Sequence, residues 1–168
     1  GGYICTSPFP YDGIFRRAVL NFKFHNCGAY AELLSHEMVR SIKDVYRDRE
    51  FDLVTCVPMH KDTLRKRGYN QAELLAKECA RILGIEYADL LAKTKKNKTQ
   101  HSIKAAERAK NVIGVYSPID KNLIKGKRIL IIDDIITTGS TLGECARILN
   151  KCKCGEICCC TLCTSLLI

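Results

Sequence analysis

The apolar positions along the chain follow two spacings, one typical of helices and one typical of buried strands, and the two alternate. Apolar residues three and four apart predict a helix that starts at Asp12 and a second helix, carrying Leu34, Met38 and Ile42, after a break near residues 26–28. Short apolar runs rich in β-branched residues predict strands. The remaining predicted elements are a strand at 51–57, a helix at 70–83 ended by Gly84, a short charged helix at 104–111, strands at 112–116 and 128–132, a helix at 141–151 and a strand at 157–162.

Strands that alternate with helices predict an α/β fold with a mostly parallel central sheet and helices on both faces. The length of 168 residues and the 46% of hydrophobic residues suit one core of this kind, which we place at residues 11–168. Residues 1–10 are expected to be an N-terminal tail, either a remnant of cloning or what is left of a truncated upstream module, because the chain opens with Gly1 and Gly2 rather than with Met.

The longest purely aliphatic run, residues 129–132, is too short for membrane insertion, and no secretory signal opens the chain. Without such a signal, the odd number of eleven cysteines favours reduced thiols and a cytoplasmic location. The cysteine pairs 152/154 and 160/163 are separated by only five residues. Neighbouring strand residues point to opposite faces, so residues 158–160 cannot easily converge on one ion. We predict no metal site there and interpret these cysteines as core residues.

The most informative segment, residues 129–141, reads ILIIDDIITTGST. A buried strand is expected to end at Asp133 and Asp134, and a glycine-containing loop of hydroxyl residues leads into a helix that a capping box of Thr141 and Glu144 would start. Ligands of open α/β sheets bind beyond the carboxyl ends of the strands, and a helix N-terminus suits a phosphate. Ionised carboxylates accept hydrogen bonds from a diol. The segment predicts a sugar-phosphate site; the plainer alternative is a hydrophilic turn before a capped helix.

This segment resembles, position by position, the phosphoribosyl pyrophosphate (PRPP) motif of type I phosphoribosyltransferases, in which an aliphatic strand and two acids precede a Thr-Thr-Gly-x-Thr loop. Residues 56–76, CVPMHKDTLRKRGYNQAELLA, are similar to the signature of the ComF-like, competence-associated branch of that family. The resemblance extends over residues 11–165. It implies the type I phosphoribosyltransferase fold, with a small flexible hood and loop region beside the central sheet.

The resemblance also implies roles for individual residues. Asp133 and Asp134 would bind the ribose diol of PRPP, and Mg²⁺ would arrive chelated by PRPP. The 5′-phosphate would bind to Thr137, Thr138, Gly139, Ser140 and Thr141, the pyrophosphate to Met59, His60, Lys61, Arg65 and Arg67, and the flexible loop at 93–111 would contribute Gln100 and Arg108. A set of four polar residues that follow Lys61 could donate to phosphate or orient the loop at 59–61: Arg65, Arg67, Asn70 and Gln71. The alternative is that they cap and solvate the helix that starts at residue 70.

The formal net charge of +9 favours anionic ligands without choosing among them. Our first hypothesis is a ComF-like domain that binds PRPP and transfers its phosphoribosyl group with release of pyrophosphate, in association with competence and DNA-uptake proteins. The second is a non-catalytic accessory protein that binds single-stranded DNA through the basic segment 93–104, although no aromatic residue there could stack on bases. The third is a nucleobase salvage enzyme, against which the sequence of residues 67–71 argues.

Overall fold

The computed structural model describes residues 3–24, 28–95 and 112–166. The expected helix at 104–111 and the predicted site residues Gln100 and Arg108 lie outside these ranges. Within them the elements are, in chain order, β1 (Ile4–Thr6), β2 (Phe9–Pro10), α1 (Gly13–Phe24), α2 (Gly28–Val45), β3 (Leu53–Cys56), α3 (Lys61–Arg67), α4 (Gln71–Leu83), β4 (Glu86–Tyr87), β5 (Leu91–Lys93), β6 (Tyr116–Pro118), α5 (Lys121–Ile124), β7 (Arg128–Ile136), α6 (Ser140–Lys151) and β8 (Glu156–Thr164).

The central sheet has the strand order β1-β8-β7-β3-β4, and every pair of neighbouring strands in it is parallel. Strand β2 adds to the same edge of β8 as β1, further along the strand. Strands β5 and β6 form a separate antiparallel sheet of two strands. The expected α/β architecture with a mostly parallel sheet is therefore confirmed.

Two apolar clusters cover the two faces of the sheet, because successive strand residues point in opposite directions. In β7, Leu130 and Ile132 pack with α1, α2 and α4, whereas Ile129 and Ile131 pack with α5, α6 and the β5–β6 sheet. The cysteines of β8 divide in the same way: Cys158 and Cys160 belong to the first cluster and Cys159 to the second. All of these residues are fully buried.

Local sequence signals set the ends of α4. The Asn70 carboxamide oxygen accepts a hydrogen bond from the backbone N–H of Ala72 at 3.2 Å and so caps the first turn. Gly84 ends the helix in the left-handed conformation, φ +69°, and its N–H donates to the carbonyl oxygens of the last turn. The N-terminus of α4 is thereby fixed directly after the loop that follows β3.

Several expectations about the elements differ from the structure. Residues 4–6 and 9–10 pair with β8, so the sheet begins inside the expected tail of residues 1–10. The strand expected at 112–116 is found at 116–118, and helix α3 had no sequence prediction. The capping box is wrong: Gly139 is the N-cap of α6, and the Glu144 carboxylate accepts hydrogen bonds from Gly114 and Arg147 instead. Within the described ranges, no helix is both long and apolar enough to span a membrane.

Candidate functional site

The carboxyl ends of β3 and β7 border a cavity of about 270 Å³. The two strands are in register, and the loop after β3 stays beside β7 because the N–H of Val57 donates to the carbonyl of Ile132 at 3.0 Å. The cavity is therefore at the sheet edge where α/β proteins bind ligands. Its lining includes six residues predicted from the sequence: Met59, His60, Arg67, Asp133, Asp134 and Thr141.

The two adjacent acids lie within β7, which continues to Ile136 instead of stopping before them. Strand β8 is equally long, and it pairs Asp133 with Thr161 and Ile136 with Thr164. Both carboxylates are half-buried at the cavity. Asp133 Oδ1 accepts a hydrogen bond from the N–H of Asp134 at 2.9 Å, which fixes the orientation of the first carboxylate. A strand thus holds the pair more rigidly than a loop would.

A small pocket of about 30 Å³ adjoins this cavity and shares Asp133 and Thr141 with it. Its wall contains the other members of the predicted phosphate loop, which are Thr137, Thr138, Gly139 and Ser140. Gly139 adopts the left-handed conformation, φ +72°, and supplies no side chain as the N-cap of α6. Thr138 and Ser140 share a hydrogen bond of 2.8 Å between their hydroxyl oxygens. The arrangement offers an oxyanion several hydroxyl groups at the positive end of a helix.

The loop after β3 contributes Pro58, Met59 and His60 to the cavity wall. His60 is the N-cap of α3, and its Nδ1 accepts a hydrogen bond from the N–H of Asp62 at 3.2 Å. Arg67, from the last turn of α3, lines the cavity as expected. Lys61 and Arg65 are exposed on α3 and are not among the residues that line it.

Lys93 and Tyr116 bring the small two-stranded sheet to the cavity. They are partners in the β5–β6 register, and the Lys93 Nζ lies 5.5 Å from the centre of the Tyr116 ring. Burial lowers the pKa of Lys93 and raises that of Tyr116. Tyr116 was not singled out from the sequence, because a tyrosine in a short strand resembles any core residue.

A larger cavity of about 570 Å³ lies at the opposite, amino ends of the strands. Arg128 and Arg49 line it, but acids already neutralise both: Asp52 and Glu50 bind Arg128, and Glu156 binds Arg49. It contains none of the residues predicted to bind a ligand. The smaller cavity is therefore the candidate site.

The cysteines of β8 occupy both faces of the sheet and are buried. Burial raises the pKa of Cys159 and Cys160 well above the usual value, which keeps these thiols protonated and unreactive. Among the residues in the described ranges, no group of three or more His, Cys, Asp or Glu side chains is placed to hold a metal ion. The absence of a structural metal stays a prediction from the sequence.

Comparison with known proteins identifies the family. The family model of the phosphoribosyl transferase domain matches residues 70–166, more than half of the chain. Competence protein F of Haemophilus influenzae is 31% identical over 83% of this chain and 63% of its own length. The chain belongs to the ComF-like phosphoribosyltransferase family. Two further relatives are each 30% identical to this chain. Competence protein ComFC of Bacillus subtilis matches over 90% of this chain and 60% of its own length, and DNA utilization protein YhgH of Escherichia coli matches over 60% of this chain and 44% of its own length.

Solved structures agree on the fold. The glutamine PRPP amidotransferase of B. subtilis superimposes with a TM-score of 0.52 and 21% identity, over 77% of this chain and 25% of that one. The APRTase of Giardia lamblia, in complex with 9-deazaadenine, superimposes with a TM-score of 0.50 and 16% identity, over 77% of this chain and 69% of that one. This ComF-like chain spans less than two thirds of each of the three curated relatives named above.

Proposed function

We propose that this ComF-like domain binds PRPP in the cavity at the carboxyl ends of β3 and β7 and transfers its phosphoribosyl group with release of pyrophosphate. One observation carries the proposal: a single cavity and its adjoining pocket unite the two acids of β7, the loop before α6 and the loop after β3. The acids suit the ribose of PRPP, the loop before α6 suits its 5′-phosphate, and the loop after β3 suits its diphosphate.

Each part of the site has its own task in this proposal. Asp133 and Asp134 accept hydrogen bonds from the ribose diol and hold the sugar, and residues 137–141 donate to the 5′-phosphate. Backbone and side-chain donors of residues 59–60, together with Arg67, bind the diphosphate. As the bond from the anomeric carbon to the diphosphate breaks, negative charge grows on the departing oxygen. Donors already in place stabilise that charge without reorganisation.

The residues present also fit Mg²⁺, which binds oxygen ligands and is held by one or two carboxylates together with substrate phosphates. Asp133 and Asp134 supply carboxylate oxygens at the cavity, and the remaining ligands would come from PRPP and water. When bound, Mg²⁺ would neutralise part of the diphosphate charge.

The test replaces both acids in an Asp133→Asn/Asp134→Asn protein. Hydrogen bonds to a charged group contribute about 1.5–3 kcal/mol each, so PRPP binding should weaken by about a hundredfold or more. Isothermal titration calorimetry measures this, with circular dichroism to check folding. Wild-type protein should also bind ribose 5-phosphate more tightly than 2-deoxyribose 5-phosphate, which lacks one diol hydroxyl.

The matched control is Asp44→Asn/Asp48→Asn, which changes the net charge equally at two exposed positions near the end of α2. This protein should bind PRPP as the wild type does. A folded Asp133/Asp134 variant with wild-type affinity would show that the site is misassigned. Pyrophosphate release measured with nucleobases, amines and ammonia then identifies the acceptor.

The relatives named for competence and DNA utilization suggest a role in DNA uptake, and we propose that role here. They also favour a second candidate function, single-stranded DNA binding by a chain whose net charge is +9.

None of the ten described cysteines is in a disulfide, which supports our proposal of a cytoplasmic location.

A further inference from the structure

One donor in the cavity wall has no partner. Gln71, the first residue of α4, is 2% exposed and lines the cavity. Its Nε2 is the one buried side-chain nitrogen or oxygen atom in residues 3–24, 28–95 and 112–166 that makes no hydrogen bond. Buried polar groups are almost always paired, because an unpaired donor has lost its water without replacement. Such a donor at a ligand site points to a ligand acceptor.

Arg67 determines which way the Gln71 carboxamide faces. Arg67 Nη1 donates to Gln71 Oε1 at 2.8 Å. A guanidinium group can only donate, so the amide atom beside it must be the oxygen, and the nitrogen must lie on the other side. The orientation therefore follows from chemistry even though amide oxygen and nitrogen atoms are alike in shape.

The neighbouring Asn70 shows what a purely structural amide looks like at this position. Its Nδ2 donates to the carbonyl of Val57 at 3.1 Å, and its Oδ1 accepts from the N–H of Ala72 at 3.2 Å. Both ends of that carboxamide hold the loop and the helix together. Gln71 uses only its oxygen within the protein, which leaves its two N–H groups for another partner.

The surroundings of Gln71 favour an anionic partner. It starts a helix of 13 residues, whose N-terminus carries the positive end of the helix dipole. Arg67 adds a full positive charge to the lining of the same cavity, to which Met59 and His60 also belong. The acids of the cavity, Asp133 and Asp134, belong to β7 and are assigned to the diol. We propose that Gln71 Nε2 donates a hydrogen bond to the diphosphate of PRPP and so makes the site select PRPP over ribose 5-phosphate.

This assignment rests on the proposed function, and Gln71→Met tests it because methionine matches the length of glutamine and has no donor. PRPP binding should weaken about tenfold to a hundredfold, whereas ribose 5-phosphate binding should stay within about twofold, since it lacks the diphosphate. The ligand-free variant should unfold near the wild-type temperature, because it loses the hydrogen bond from Arg67 but also loses the unpaired buried donor. A structural role predicts the reverse: a lower unfolding temperature with unchanged selectivity.

Gln71→Glu is the second variant. It keeps an oxygen for Arg67 and places another oxygen where the donor was. The affinity of the protein for PRPP should therefore fall at least as much as it does in Gln71→Met. Equal weakening of PRPP and ribose 5-phosphate, or unchanged PRPP affinity in both variants, would overturn the assignment.

Inorganic pyrophosphate separates this inference from the proposed function. Wild-type protein that binds pyrophosphate through Gln71 but does not bind PRPP would contradict the proposed function and support the Gln71 assignment. Wild-type protein that binds PRPP, with no loss in Gln71→Met, would contradict the assignment alone. Protein that binds neither ligand would overturn both.

Discussion

Glu144 links α6 to the residues just before β6. It is 5% exposed, and its Oε1 accepts from the N–H of Gly114 at 2.8 Å. Both carboxylate oxygens also accept from the Arg147 guanidinium, at 2.6 and 2.7 Å. These hydrogen bonds from Arg147 lower the pKa of Glu144. One buried carboxylate thus connects the helix of the phosphate loop to the small sheet that carries Tyr116.

We expect Glu144→Gln to lower the thermal midpoint at pH 7 by about 2–6 °C, because an amide nitrogen would face the Arg147 donors. At pH values above the unfolded-state pKa of about 4.5, the ionised Glu144 carboxylate stabilises the fold. This stabilisation is lost as the pH falls through the folded-state pKa, which is lower. The two proteins should therefore converge in stability as the pH falls below the folded-state pKa of Glu144. Calorimetric unfolding across this pH range measures the difference.

The control is Glu78→Gln, because Glu78 also pairs with an arginine three residues later, Arg81, on an exposed face of α4. Its midpoint should change by less than about 1 °C, since exposed pairs stabilise little. A Glu144→Gln deficit that persists unchanged at low pH would show that charge is not the cause.

At the scale of elements, β1 supports the phosphate loop. Tyr3, just before β1, donates from its hydroxyl to the carbonyl of Gly139 at 2.8 Å. Burial raises the pKa of Tyr3 to about 12, so the hydroxyl stays protonated and able to donate near neutral pH. A Cβ atom added at Gly139 would lie only 2.8 Å from that hydroxyl oxygen. Because β1 pairs with β8, Tyr3 lies next to the phosphate loop and can reach Gly139.

We expect Tyr3→Phe to weaken PRPP and ribose 5-phosphate binding equally, by about threefold to tenfold, because one neutral hydrogen bond is lost and the two ligands share the phosphate. Titration calorimetry with both ligands measures this. Tyr30→Phe, at an exposed position of α2, should leave both affinities unchanged. Weakening of PRPP alone would contradict the role of Tyr3 in the phosphate loop.

The elements that the sequence predicts well are those whose apolar pattern is long enough to show a period. Helix α4 and strands β7 and β8 belong to this group. The two acids of β7 and the loop that follows the strand can also be predicted, because their sequence is a recognisable motif. Strands β1 and β2, of three and two residues, are too short for any period. Helix α3 buries no residue, so its sequence has no apolar stripe, and only Gly68 marks its end.

Gln71 is already a candidate phosphate donor from the sequence, but the contribution of Tyr3 and Tyr116 to the site could not be predicted in the same way. Their positions depend on contacts between distant segments: the Tyr3 hydrogen bond to Gly139 joins residues 136 positions apart. The supposed capping box failed for a related reason. Glu144 has the right spacing from Thr141, but the left-handed Gly139 caps the helix, and the Gly114 N–H donates to the Glu144 carboxylate instead. Tertiary contacts outweighed a local pattern.

At the scale of the whole molecule, the net charge of +9 makes any single-stranded DNA binding electrostatic. Counterion release predicts that the logarithm of the affinity falls with the logarithm of the salt concentration, with a slope of about −0.7 per phosphate contacted. Lys95→Ala/Lys96→Ala/Lys98→Ala should reduce this slope; Lys96 and Lys98 lie outside the described residues. Fluorescence anisotropy with a labelled oligonucleotide measures both effects.

Lys121→Ala/Lys125→Ala/Lys127→Ala removes the same charge from exposed positions elsewhere and is the matched control. It should lower the affinity less than the first triple variant does. Binding that is insensitive to salt and to both variants would exclude an electrostatic DNA interface.

The parallel pairing of β1 with β8 has a consequence for how the protein is made. Synthesis proceeds from the N-terminus, so β1 leaves the ribosome long before β8, the strand with which it pairs, exists. Contacts between distant residues form slowly because the intervening chain must first be ordered. The edge of the sheet, and with it the Tyr3 support of the phosphate loop, can be completed only after β8 has emerged. A nascent chain that stops short of β8 would already hold both acids of the site, yet its phosphate loop would lack that support.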